Sequence, residues 1–320
     1  MSTIISIEAL GAILPPSIDL YLTSASFESR SVSASRGVSK CDVKKALIFY
    51  ANEYAHFSLE NVHAINALFD QKAKITELNV NDPIHVADSF VDEFERATNN
   101  STSITVVIDA TTFTRESLLI LLSIVHKYRN KIGVAKLVYT RAKEMSNEWL
   151  SKGVVDYRSI LGYLGEISPL RRLHLILMTG FEVERAWNIV SKYEPDLVSI
   201  GIGAKDNSIS MEFYERNCKF AKELESLFGV AVGHFEFSLT DPYETGAALI
   251  AYIDSHNGNY NTVVAPLNNK LSTIGAGLAA IKNKNIQLCY AQPEAYNAET
   301  YSVPDENCYV VDIQINEWEQ

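Results

Sequence analysis

The chain has 320 residues, of which 47% are hydrophobic, and it carries 28 Lys and Arg against 39 Asp and Glu for a net charge of −11. At roughly 100–200 residues per domain this length suggests two domains, and the apolar content excludes wholesale disorder. The acidic balance argues against general nucleic-acid binding, which needs a basic surface to neutralise phosphates, but a small anionic ligand needs only a few local donors.

The N-terminal stretch MSTIISIEALGAILPP has no basic segment and holds Glu8 within its apolar part, so no signal peptide is expected. Strands are expected near 18–24, 45–50, 74–80, 104–109 and 135–140. Helical stretches lie between them, such as HVADSFVDEFERA (His85 to Ala97), whose apolar residues recur at the 3.6 period. The run LLILLSIV (Leu118 to Val125) is too short to span a bilayer, and no membrane partner is expected. A second set of strands is expected near 173–179, 196–202, 231–238, 262–266 and 286–291. Alternating strands and helices predict an α/β fold of two tandem doubly wound, mainly parallel Rossmann-like sheets, an N-terminal domain over 1–160 and a C-terminal domain over 161–320. In such sheets the loops after the strand C-termini share one ligand-facing edge.

Landmarks recur in order across the two halves. Phe27 of SASFESR matches Phe181 of TGFEVER, an offset of 154 (181 − 27). ALIFYANEY (from Ala46) matches DLVSIGIGA (from Asp196), an offset of 150 (196 − 46). Asp82-Pro83 matches Asp241-Pro242, an offset of 159 (241 − 82). Arg115 in DATTFTRES matches Lys270 in LNNKLST, an offset of 155 (270 − 115). Ser151 and Ser302 each stand twelve positions after a strand tyrosine, Tyr139 and Tyr290. The shared order and spacing predict an internal duplication.

In DATTFTRES, Asp109, Thr111, Thr112, Thr114 and Arg115 sit at a strand-to-helix turn. Backbone N–H groups, hydroxyls and a guanidinium there suit a phosphate or carboxylate; the other reading is a capped helix with a surface Arg. Asn268, Asn269, Lys270 and Thr273 occupy the same place in the second half. Neither loop is a GxxxxGK[ST] loop, so no ATPase is predicted. Ser26, Glu28 and Arg30, with Gly180, Glu182 and Arg185, either shape the rim of the ligand edge or fix the turn, while Phe27 and Phe181 are expected in the core. Asp82 and Asp241 read as helix caps with Pro at the first helical position, or as partners of a ribose hydroxyl. None of the seven histidines stands in an HExxH or nucleophile-elbow context, and His234, inside VAVGHFEF, is expected to be a satisfied core residue. Tyr296 and Tyr301 either stack on a base or cover the sheet's end. Cys41, Cys218, Cys289 and Cys308 form no CxxC pair and have no histidines at zinc spacing; they read as reduced, mostly buried thiols of a cytoplasmic protein, with no metal and no cofactor expected.

A strand, a Thr/Ser-rich loop, a single cation and a helix of small or apolar residues resemble the CRISPR-associated Rossmann-fold (CARF) sensor domains. In that family a D-x-T-G-G-T-K-x-M loop after the fourth strand contacts nucleotide phosphate. DATTFTRES and LNNKLSTIG look like degenerate forms without the double glycine, with Arg115 and Lys270 at the Lys position. The resemblance implies a tandem sensor or accessory protein of prokaryotic antiviral defence. It would bind a nucleotide-type anion or a partner protein at the cleft between its halves, as part of a protein complex or a homo-oligomer. The alternatives are a nucleotide- or phosphosugar-processing enzyme using Glu28, Glu182 or Asp109 as base, and a structural subunit whose ligand edge is vestigial.

Overall fold

A computed structural model describes residues 2–314 except 100, 102, 229–231 and 257. The chain runs through β1 (Ser2–Ser6), β2 (Leu20–Ala25), α1 (Ser33–Val38), β3 (Ala46–Ala51), α2 (Ala55–Leu68), β4 (Lys74–Leu78), α3 (Pro83–Thr98), β5 (Ile104–Asp109), α4 (Arg115–Lys127) and β6 (Ile132–Met145). It continues with β7 (Ser151–Lys152), β8 (Asp156–Ser159), β9 (Arg172–Met178), α5 (Val183–Tyr193), β10 (Leu197–Gly203), α6 (Met211–Ser226), β11 (Val232–Phe237), α7 (Pro242–Asp254), β12 (Tyr260–Pro266), α8 (Lys270–Lys282), β13 (Ile286–Gln292), β14 (Ala295–Tyr296) and β15 (Ser302–Asp312). The expected strand at 231–238 appears as β11; its first position, 231, lies outside the described residues.

Two compact units form, one from 1–146 with 298–320, the other from 147–297. The division therefore differs from the expected break at 160/161. The segment after β6 builds into the second unit, and the chain returns at the end to the first, because β15 pairs antiparallel with both β6 and β1.

In the first unit the sheet order is β1-β15-β6-β5-β2-β3-β4, parallel from β6 through β4. In the second it is β8-β13-β12-β9-β10-β11, parallel except for β8. Numbered along the chain within each unit, both parallel sets read 3-2-1-4-5, a doubly wound α/β order that reverses between the first and fourth strands. That reversal opens a crevice at the strand C-termini, between β2 and β5 in one unit and β9 and β12 in the other.

The strands form where apolar and β-branched residues run together: Val106, Val107 and Ile108 are buried in β5, as are Leu175, Ile176 and Leu177 in β9. Tyr21, Val38, Val107 and Cys308 share a core in the first unit, and Leu177, Ile189, Val263 and Cys289 share one in the second. Burial pushes the thiols of Cys289 and Cys308 each up to about 12, while Cys41 and Cys218 are half-buried. Asp82 and Asp241 are helix caps: Asp82 Oδ1 accepts from the N–H groups of Ile84 and His85 at 3.0 and 3.1 Å, and Asp241 Oδ1 accepts from that of Tyr243 at 2.8 Å. Among the described residues no helix is long and apolar enough to cross a membrane.

Candidate functional site

At the first unit's crevice, Asp109 ends β5 and is buried. Its Oδ2 accepts from the Thr23 hydroxyl of β2 at 3.2 Å, and its Oδ1 accepts from the Thr111 backbone N–H at 3.0 Å and from the Thr111 hydroxyl. Burial pushes the Asp109 carboxyl up to about 6, against the lowering effect of these hydrogen bonds and of Arg30. The Thr111 hydroxyl also accepts from the Thr140 N–H at 3.0 Å. Thr112 donates from its hydroxyl to the Ser24 carbonyl at 2.5 Å, bridging the crevice. Thr114 caps α4 by accepting from the Ser117 N–H at 3.0 Å, and Arg115 follows it, half-buried.

The turn after β2 inverts the order of burial that hydropathy alone suggests. Phe27 is half-buried, edge-on to Tyr54 at 5.7 Å and Tyr301 at 5.6 Å, whereas Glu28 and Arg30 are buried. Arg30 Nε donates to Glu28 Oε2 at 3.0 Å, and Nη1 donates to the Thr140 carbonyl at 3.1 Å. Burial opposes the Arg30 charge, but the neighbouring Glu28 outweighs it and raises the pKa. Ser302, the first residue of β15, donates to the same Glu28 Oε2 at 2.5 Å. Ser26 Oγ accepts from the Glu28 N–H at 3.0 Å, and Asn61 donates to the carbonyls of Ser26 and Glu28 at 2.8 and 3.2 Å.

The second unit repeats this inversion. Phe181 is half-buried, 5.6 Å from Phe213 and beneath the Arg216 guanidinium at 4.6 Å. Glu182 and Arg185 are buried and paired at 3.4 Å. Arg185 Nη2 donates to the Ala291 carbonyl, and the Ser151 hydroxyl donates to Glu182 Oε1. Gly180 is dictated by packing: a Cβ there would lie 2.5 Å from the Leu267 carbonyl oxygen. Asn268 donates to the Thr179 carbonyl at 2.5 Å, as Asn217 does at 3.0 Å. Asn269 caps α8 by accepting from the Ser272 N–H at 2.8 Å and donates to the Leu239 carbonyl at 2.7 Å; the Thr273 hydroxyl donates to the Asn269 carbonyl at 2.9 Å. Lys270, first in α8, is half-buried. Thr179, Gly180, Glu182, Phe220 and Leu267 help to line a shallow recess with a cavity volume of about 10 Å³.

The structure thus gathers the sequence-predicted residues at the strand-end edge of each unit. Of the two readings for Glu28, Arg30, Glu182 and Arg185, the buried Glu–Arg pairs match the one in which they fix the turn, beneath that edge, while Phe27 and Phe181 lie at it instead of in the core. Asn61, Asn217, Ser151 and Ser302 join the site without being marked by any of its sequence motifs. For the two serines the matching twelve-residue spacings were the available signal. His234 is a further correction: it is exposed on the edge strand β11, 3.3 Å from Glu225, because one face of that strand meets solvent. The buried histidine is His174, whose Nε2 bonds to Ser199 Oγ at 2.7 Å. Among the described residues no cluster of three or more His, Cys, Asp or Glu is placed to hold a metal ion.

No protein-family model and no curated protein matches the chain. Among solved structures, it is similar to the cytoplasmic domain of a prokaryotic cation chloride cotransporter, at 9% identity over 88% of this chain and 98% of that one, with a TM-score of 0.24. A likeness this slight carries no argument about fold or function.

Proposed function

We propose that this protein is a non-catalytic accessory subunit that binds a partner protein through the strand-end edges of its units. The observation that carries the reading is the same closure in both crevices. Thr112 donates to the Ser24 carbonyl in one unit and Asn268 to the Thr179 carbonyl in the other. Where a nucleotide phosphate would need free loop donors, the loop after the fourth strand is bonded to the end of the first.

Other features agree. The three carboxylates the sequence offers as bases, Glu28, Asp109 and Glu182, are all buried and engaged. The recess beside Gly180 has a cavity volume of about 10 Å³, room for roughly one water, against the roughly 300–1,000 Å³ of small-molecule pockets. Beside its cations each edge offers apolar surface: half-buried Phe27 with Phe57 at 45% exposure, and half-buried Phe181 with Met211 at 52%.

We further propose that the two units descend from one duplicated, Rossmann-like unit, a reading supported by their common strand order. The CARF resemblance makes a cytoplasmic prokaryotic defence complex the setting of this proposal. The test is co-purification of the tagged chain with the products of neighbouring genes. Phe57→Ser with Met211→Ser, the more exposed apolar residues of the two edges, should abolish retention of the partner while lowering the Tm by no more than a few degrees. A thermal shift with a mono-, di- or cyclic oligonucleotide, lost in Arg115→Ala with Lys270→Ala, would overturn the reading in favour of a nucleotide sensor.

A further inference from the structure

Each unit's sheet is completed by a segment that follows, in sequence, the fifth parallel strand of the other unit. After β6 the chain supplies β7 and β8, which pair with β14 and β13 in the second unit. After β13 and β14 it supplies β15, which pairs with β6 in the first. The registers agree position by position. Ser302 faces Met145 and Cys308 faces Thr140; Ser151 faces Tyr296 and Tyr157 faces Ala291. Every member of one pair is shifted by 151 from its counterpart (302 − 151, 308 − 157, 296 − 145, 291 − 140). A one-residue slip in either ladder would turn its side chains to the opposite face, so a shared register over both ladders is a specific correspondence.

The buried ion pairs stand where these segments enter. In the first unit a chain of bonds runs from the Thr140 carbonyl to Arg30, from Arg30 to Glu28 and from Glu28 to Ser302. In the second it runs from the Ala291 carbonyl to Arg185, from Arg185 to Glu182 and from Glu182 to Ser151. Thr140 and Ala291 are themselves related by the same shift of 151 (291 − 140). Each arginine therefore holds the receiving strand, and each glutamate holds the incoming segment. A buried carboxylate needs its full set of donors, and the segment's serine supplies one, so the ion pair and the seated segment stabilise each other.

We infer that the chain is the single-chain form of a strand-exchanged pair, and that each Glu–Arg pair is a latch for the exchanged segment and not a ligand contact. The equivalence of the two segments rests on the duplication proposed above; the latches rest on contacts within each unit.

Hydrogen exchange on the full-length protein tests this. Ser302→Ala should speed amide exchange in 302–312 at least tenfold and leave 151–159 unchanged. Ser151→Ala should do the reverse. Glu28→Gln and Glu182→Gln should give the same two patterns more strongly; if either fails to fold, the serine variants, which remove only a hydroxyl, carry the test. Acceleration in the opposite segment, acceleration spread evenly through a unit, or no response in either segment would overturn the inference. Loss of the duplication reading would leave these exchange patterns unchanged, whereas loss of the latch reading would erase them.

Discussion

The Thr23 hydroxyl reaches Asp109 across 3.2 Å, tying the first and fourth parallel strands of the first unit together through a buried carboxyl. Burial raises that carboxyl from 3.8 to about 6. Because the folded value lies above the unfolded one, the group's contribution to stability is complete below about pH 4 and is lost as pH rises through 6. Asp109→Asn should therefore become more favourable relative to wild type by roughly 1–2 kcal/mol between pH 5 and pH 7.5. Urea unfolding at the two pH values measures it, and a pH-independent difference would contradict the assignment.

His174 predicts the opposite slope in the second unit. Burial, with His256 nearby, lowers it from 6.5 to about 4. The unfolded chain then binds the proton more readily, so stability is complete above about pH 6.5 and is lost as pH falls toward 4. Between pH 7.5 and pH 5 the wild type should lose roughly 2 kcal/mol through this group, a loss that His174→Gln should abolish. Native-state exchange of β9 amides as a function of pH reads it directly.

Two glycines are set by close approach. A Cβ on Gly180 would lie 2.5 Å from the Leu267 carbonyl oxygen, and one on Gly275 would lie 2.5 Å from Thr245 Cβ and 2.7 Å from the Pro242 carbonyl oxygen. Alanine at either position should cost about 1–3 kcal/mol by forcing backbone apart. Gly246→Ala, where the nearest atom is 3.0 Å away, should cost less. Thermal denaturation of the three variants gives the ranking.

The Glu28–Arg30 pair should behave as a buried unit. Arg30→Met alone leaves Glu28 buried without its cation and should cost roughly 3–5 kcal/mol. Glu28→Leu with Arg30→Met should recover a substantial part of that loss, because both desolvation penalties vanish together. A double-mutant cycle by denaturant unfolding checks this, and additive losses would show that the two side chains act separately.

The sequence made the strands legible because buried parallel strands are short apolar runs, such as Val106 to Ile108, and made two helix starts legible because Asp-Pro caps a helix locally. A turn fixed by Glu28 and Arg30 was one of two legible readings, but their being more buried than Phe27 was hidden, since hydropathy ranks Phe inward and the charges outward. What reverses that ranking is Thr140 and Ser302, which lie 110 and 274 positions from their partners Arg30 and Glu28. The unit boundary was hidden for a related reason: nothing local to residues 147–160 says that they complete a sheet made of later residues. His234 shows the limit of reading a strand from composition, since an apolar segment does not say whether it lies at a sheet's edge.

The returning β15 also sets an order of events during synthesis. The second unit is continuous in sequence and has all its strands once residue 297 has been made. The first must wait with the edge of β6 bare until β15 emerges, on the order of ten to thirty seconds at a ribosomal rate of about 5–20 residues per second. For that interval the nascent first unit carries an unpaired strand edge beside buried Val138, which makes it the part of the newborn chain most in need of a chaperone.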